Sequence, residues 1–362
     1  MSSIDFTPHV ALSPLDQIAP RIYVRSVFIF NVDRKFGINK ALCHIADRFH
    51  ASLLRWPFLT GQVRPATYSI RPNELELDYD LDENRADPSQ RPDLFTYQFC
   101  DRLGGSAYEK LKARGMPPSV MEKDILSLSP NHPKPGEPRL RHEQARFEQH
   151  NNHGSDPEGP PAVCVLFKIQ NSTLRMLHGL ALTELRNKHG PDAFVSMVDT
   201  LSALIWVHTT RARLPHLDLT DKTCFTTAAD ARIRLSPAFS ADSWGNVYTQ
   251  TSASTSVRDL VQAWSGMNMD STPAVVAAAW RIRNAVSQVN TPSYIPSRIA
   301  LAASLADPTM ESAAFRRALQ PDHAGLGCSV WTHMGADVDF GIPAQTARQI
   351  TYARRGRPTT EA

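Results

Sequence analysis

VSMVDTLSALIW, residues 195–206, decides how the second half of the chain folds. Ser196 and Asp199 stand three apart just ahead of an apolar run. The serine hydroxyl can accept the Asp199 N–H while the carboxylate returns a bond to the helix start, which is a capping box. Leu201, Leu204, Ile205 and Trp206 then furnish the apolar side of the helix, so the plain reading of Asp199 is a cap. Upstream, Leu174, Leu177, Ala181 and Leu185 recur at helical spacing on a segment opened by Ser172, behind a short apolar strand over residues 163–169. Downstream, Thr272 and Pro273 open AVVAAAWRIRNAVSQV, with proline in the tolerated first position of a helix. Strand-like and loop segments run from there to Gly341.

Toward the N-terminus the periodicity mixes. RIYVRSVFIFNV, residues 21–32, is β-branched and aromatic and lies between Pro20 and Asp33, which marks a strand. From Asn39, a candidate cap, Leu42, Ile45, Ala46, Phe49 and Leu53 lie on one helical face until Pro57 stops the run. TYSIR, Pro72-Asn73 and ELELDYDL have the form of a β-hairpin around a turn. Residues 131–161 change character: seven prolines and four histidines fall between Pro130 and Pro161 with few large apolar side chains, the composition of a linker or crossover. Beyond Gly341 no apolar face continues, so residues 342–362 read as a frayed, solvated tail.

Composition excludes several classes. The chain has 362 residues, enough for two domains, with 42% hydrophobic and 21% charged side chains. Its 39 basic and 36 acidic residues leave a net charge of +3, too small a field to recruit nucleic acid or a membrane surface. No apolar run reaches the roughly 18 residues of a membrane span and no signal sequence opens the chain, which points to a soluble cytoplasmic protein, expected as a monomer. The five cysteines are scattered without a CxxC pair, against a disulfide framework or a zinc cluster.

Six segments in order resemble the BAHD-type coenzyme-A-dependent acyltransferases, in particular the fungal branch of trichothecene 3-O-acetyltransferases. They are LSPLDQIAPRIYVRSVFIF (12–30), FHASLLRWPFLTGQV (49–63), YEKLKARGMPP (108–118), VSMVDTLSALIW (195–206), AADARIRLSPAFSADSWGNVYTQ (228–250) and VDFG (338–341). The resemblance implies an α/β, two-domain, chloramphenicol-acetyltransferase-like architecture. Its parts would be an N-terminal domain over 1–130, a crossover over 131–161 and a C-terminal domain over 162–341, with a channel between the domains. It also implies the chemistry: acyl-coenzyme A, acetyl-coenzyme A first, as co-substrate rather than bound cofactor, and a small-molecule alcohol as acceptor. Within the resemblance, Arg232, Arg234 and Asn246 are candidate coenzyme-A contacts, and Asp339, Phe340 and Gly341 form the DFG structural motif.

The family's base is a histidine in H-x-x-x-D-G, and this pattern occurs nowhere in the sequence. The 21 or so residues between the flanking family-like segments are too few and too polar for a strand, loop and helix. Part of the first domain therefore reads as deleted, which leaves neighbouring strands short of a partner. Departure continues at Ile342-Pro343, where the family has Trp-Gly. Substitute histidines are His150 and His153 in the linker and His333, four residues before Asp337. A solvated loop is the plain reading of the first two, because a base must be held within hydrogen-bond reach of its substrate. A metal set built from His142, His150, His153 and Asp156 has no element to fix it, so no metal is expected. Three functions follow: an O-acyltransferase of a fungal secondary metabolite, a non-catalytic remnant used for binding, or a shortened version of an active enzyme.

Overall fold

The computed structural model describes residues 9–19, 26–30, 32–79, 167, 169–235, 237–240, 243, 245–261, 272–310, 324–330, 340–343 and 350–355. Helices and strands are interspersed along an α/β chain.

The second half holds the main core. The helix α3 (Asn171–His189) buries Ala181 and Leu185, with Leu177 beside them, on the face that the spacing marks. It starts after Gln170 without a side-chain cap, so Ser172 does not open it. The expected strand before it is not formed at Phe167 or Ile169, which are exposed. The helix α4 (Met197–Ala212) begins at the capping box, where Asp199 accepts from the Ser196 amide at 2.7 Å and the Ser196 hydroxyl at 2.7 Å. Strand β5 (Lys222–Asp230) pairs antiparallel with β6 (Tyr248–Ser256) over nine residues. The short helix α5 (Val257–Val261) follows β6 directly. The helix α6 (Thr272–Gln288) crosses the sheet, burying Val275, Ala279 and Ile282, and α7 (Tyr294–Ser304) lies behind the Asp230 end of β5. β7 (Leu326–Cys328) adds to β5 in parallel.

Trp206 is the pivot of this core. Its ring lies 5.8 Å from Phe225, and its indole N–H donates to the Thr223 hydroxyl at 2.9 Å. That hydroxyl in turn donates to the Ala324 carbonyl at 2.8 Å. A buried Trp N–H needs such a partner, since an unpaired polar group there costs about 1–3 kcal/mol.

The first half is built from smaller pieces. Here β1 (His9–Ala11), β3 (Gln62–Pro65) and β4 (Leu75–Asp78) form a three-stranded sheet with β4 in the centre. The predicted hairpin is thus displaced: the partner of ELELDYDL is QVRP, and TYSIR lies in the connection. The reason is local bonding. The Ser69 hydroxyl accepts the Arg71 N–H at 3.0 Å and is itself held by Glu74, so this stretch bonds to itself instead of forming a ladder. Tyr68 and Ile70 are 93% and 99% exposed. Pro72-Asn73 is the turn, with Asn73 in the left-handed region at φ 60°. Gly61 ends the preceding turn where a Cβ would lie 2.7 Å from the Asp78 carbonyl oxygen, too close for any other residue.

The helix α2 (Ile38–Arg55) buries Ala41 and Leu53 and ends before Pro57. It starts one residue ahead of Asn39, behind Gly37, so the asparagine is not its cap. The expected strand over residues 21–32 is present as β2 (Ser26–Phe30). Its partner is β8 (Ile350–Arg355), paired antiparallel from Ser26–Arg355 to Phe30–Ile350. This corrects the reading of residues 342–362 as a frayed tail: part of that stretch completes a sheet in the first half.

Candidate functional site

Two groups of predicted residues stand in different places. Arg232, Arg234 and Asn246 share the connection between β5 and β6. The Arg232 guanidinium braces that connection through the Ser243 carbonyl at 3.0 Å, the Gly245 carbonyl at 2.7 Å and Asp230 at 3.1 Å. Arg234 donates to Asn290 at 2.7 Å and to the Asp230 carbonyl. A fork with several fixed donors suits this bracing better than a lysine would. Asn246 is turned away toward the N-terminal turn α1 (Pro14–Gln17). Its backbone N–H donates to the Asp16 carboxylate at 2.6 Å, and its side-chain amide donates to the Leu15 carbonyl at 2.5 Å.

Phe340 and Gly341 lie against α2 instead. His44 donates through Nε2 to the Phe340 carbonyl at 2.8 Å, which fixes the proton on that nitrogen whenever the ring is neutral. Gly341 has φ +69°, and a Cβ there would sit 2.7 Å from His44 Nε2, so both backbone and space require glycine. Ile342 is buried, and the Pro343 carbonyl accepts the Asp33 N–H at 2.9 Å. Substituting Ile-Pro for Trp-Gly thus leaves a seated segment. Asp339, His150, His153 and His333 lie outside the described residues, as do His142 and Asp156.

Sequence reasoning missed several residues. Asp16 belongs to a second capping box, with the Ser13 hydroxyl donating to it at 2.6 Å. The same S-x-x-D spacing that marks Asp199 also marks this one. Asp199 carries more than a cap, because Arg283 binds it at 2.8 Å through Nε and again through a second nitrogen, while stacking 5.4 Å over Phe194. No spacing rule joins residues on separate helices. For His44 nothing in the helical pattern distinguishes it from a surface position. Gln17 is buried 58 positions from its partner, Leu75, beyond any local signal.

The electrostatics are modest. Hydrogen bonds from Arg71 and then Ser69 hold the Glu74 carboxyl below the usual range, and burial pushes the Cys328 thiol up. Desolvation, with help from Arg211, keeps His208 below the ordinary histidine value. Among the described residues no three His, Cys, Asp or Glu side chains group as metal ligands, and no helix is long and apolar enough to cross a membrane.

Solved structures with this fold include complexes with coenzyme A. TRI101 of F. sporotrichioides, solved with coenzyme A and T-2, aligns at a TM-score of 0.67 with 16% identity, over 97% of this chain and 89% of its own. TRI101 of F. graminearum, solved with ethyl coenzyme A, aligns at 0.63 with 14% identity over 97% and 89%. Vinorine synthase aligns at 0.52 with 12% identity over 99% and 86%. No curated protein sequence matches the chain. A family model described as the Transferase family matches residues 106–341, ending on the glycine seated against His44. With that match over more than half its length, and with its two-domain α/β architecture, the chain belongs to the Transferase family, the BAHD-type acyltransferases.

Proposed function

We propose that the protein is an acyl-coenzyme-A-dependent O-acyltransferase that acetylates a hydroxyl of a fungal secondary metabolite in the trichothecene 3-O-acetyltransferase manner. The observation that carries this is the family match over residues 106–341 on a fold shared with TRI101, whose structures hold coenzyme A and trichothecene-type ligands such as deoxynivalenol. In the reaction, the acceptor oxygen attacks the thioester carbonyl, a base takes the hydroxyl proton, and the coenzyme-A thiolate leaves and is reprotonated. The β5–β6 connection braced by Arg232 and Arg234 supplies positive charge for the coenzyme's phosphates, and Phe340–Gly341 supports the channel wall. Domains over 1–130 and 162–341, joined by a crossover over 131–161, monomeric and cytoplasmic, complete the proposal.

One sequence fact favours a second reading. Without H-x-x-x-D-G, the 362-residue chain has no histidine in the family's catalytic position, so it either binds without turnover or is the shortened version of an active enzyme. Free-thiol release from acetyl-coenzyme A, with deoxynivalenol and related alcohols, separates the transferase from the remnant. Release above the uncatalysed background that His153→Ala or His333→Ala removes establishes a transferase. Binding of coenzyme A without release establishes the remnant. Neither binding nor release rejects both. A transcript carrying an in-frame H-x-x-x-D-G between codons 125 and 170 establishes the shortened version.

A further inference from the structure

Three pieces from distant parts of the sequence, the β3–β4 hairpin, the Gly245–Val247 loop and α7, close a ring around α1. Gln17 is buried and its side-chain amide mimics a strand: Nε2 donates to the Leu75 carbonyl at 2.6 Å and Oε1 accepts the Leu75 N–H at 2.9 Å. That fixes α1 to β4. On its other side the same turn takes Asn246, through Asp16 Oδ1 and the Leu15 carbonyl. Val247, the next residue, packs with Ala231, Val289 and Ile295, which brings in α7, and α7 itself packs on α1. The far end of α7 returns to the hairpin. Arg71 donates to the Ala303 carbonyl at 2.9 Å, and Asn73 donates to Asp307 at 2.7 Å.

The turn at the centre has little freedom of its own. Asp16 divides its two carboxylate oxygens, Oδ2 to the Ser13 cap and Oδ1 to Asn246, while the neighbouring Gln17 is fixed on Leu75. Three consecutive residues, Leu15 to Gln17, thereby tie the hairpin to the loop through one stiff turn, beside the longer route through α7. If either of them opens, the turn must tilt, and tilting it lengthens the hydrogen bonds to the other. Coupling of this kind travels through contiguous bonded elements and shows as shared opening in hydrogen exchange.

We propose that the Ser13–Gln17 turn couples the β3–β4 hairpin to the Gly245–Val247 loop, so that the two open and close as one unit. This goes beyond the acyl-transfer reading and holds whether or not the chain turns over substrate.

The test uses the full chain, with amide exchange read at Leu75, Asn246 and Phe225. Gln17→Leu removes both of this side chain's bonds to the hairpin, leaves the β1–β4 ladder in place and touches no atom of the loop. Asn246→Ala removes the side-chain bond to Leu15 and touches no atom of the hairpin. Each is expected to speed exchange about tenfold at the remote reporter, Asn246 for the first and Leu75 for the second, with Phe225 in the main core unchanged. Where Gln17→Leu also strips protection from Phe225, Gln17→Glu, which keeps Oε1 and loses the donor, takes its place. Acceleration confined to the near reporter in both variants would overturn the coupling and leave two independent ties.

Discussion

The two halves of the molecule are held in different ways. In the second half, large side chains such as Trp206, Phe225, Leu185 and Val275 are enclosed in one apolar cluster among α3, α4, α6 and the β5–β6 ladder. In the described part of the first half, Leu53 is the largest side chain enclosed to that degree, and polar contacts do much of the joining: Gln17 to Leu75, Asp16 to Asn246, His44 to Phe340 and Arg71 to Ala303. An apolar cluster can form from its own segments, whereas directional bonds need both partners already in place. The first half therefore depends on the second for its order, and the reverse dependence is weaker.

Substitutions can break or sharpen that contrast. Trp206→Ala removes the centre of the cluster and leaves the Thr223 hydroxyl without its indole partner, which should cost about 3–5 kcal/mol. Denaturant unfolding would show it, and a loss under about 1 kcal/mol would mean that the cluster is not what holds the second half. Gly341→Ala comes next. The left-handed backbone alone costs roughly 1–2 kcal/mol, and the clash with His44 adds to it. His44→Ala in the same chain should recover the steric part, so the double variant should melt above Gly341→Ala; equal melting points would disprove the packing.

Acid supplies a milder probe. Because Arg71 and Ser69 lower the Glu74 carboxyl in the fold, its contribution is complete above the ordinary carboxylate value and is lost as pH falls through the lower folded one. Protection at Arg71 and Asn73, corrected for the slower intrinsic exchange in acid, should therefore fall on going from about pH 6 to about pH 3 before protection at Phe225, beside Trp206, responds. Simultaneous loss would erase the distinction between the halves. At the small end, Ile70→Ser replaces a side chain that is fully in water and should shift stability by less than about 0.5 kcal/mol.

The legible parts of the fold were those with local causes. The capping box at Ser196 and Asp199, the one-faced helix over Ala181 and Leu185, and the start at Thr272-Pro273 all follow from residues within a turn or two of each other. Of the hairpin around Asn73, the second strand is legible and the first lies upstream at Gln62–Pro65, since alternation in TYSIR cannot reveal that Ser69 binds its own turn. Long-range features stayed hidden. Nothing local says that Arg283 meets Asp199, that His44 carries the DFG segment, or that a basic stretch beyond residue 349 becomes a strand. For the candidate site, motif resemblance names Phe340, Gly341 and the Arg232–Asn246 segment, but not the bonds that occupy them. The β5–β6 ladder beneath that segment went unread, as its run of Thr, Ser and Ala alternates small with small and leaves no apolar period to detect.

The pairing of β2 with β8 has a consequence for biosynthesis. A ribosome adding about 5–20 residues each second delivers β8 on the order of three hundred residues after β2, so the earlier strand waits for roughly tens of seconds with an open hydrogen-bonding edge. The segments that build the cluster around Trp206 are synthesised within that interval. The second strand of the chain is thus among the last to meet the partner described for it, whereas β1 meets β4 early.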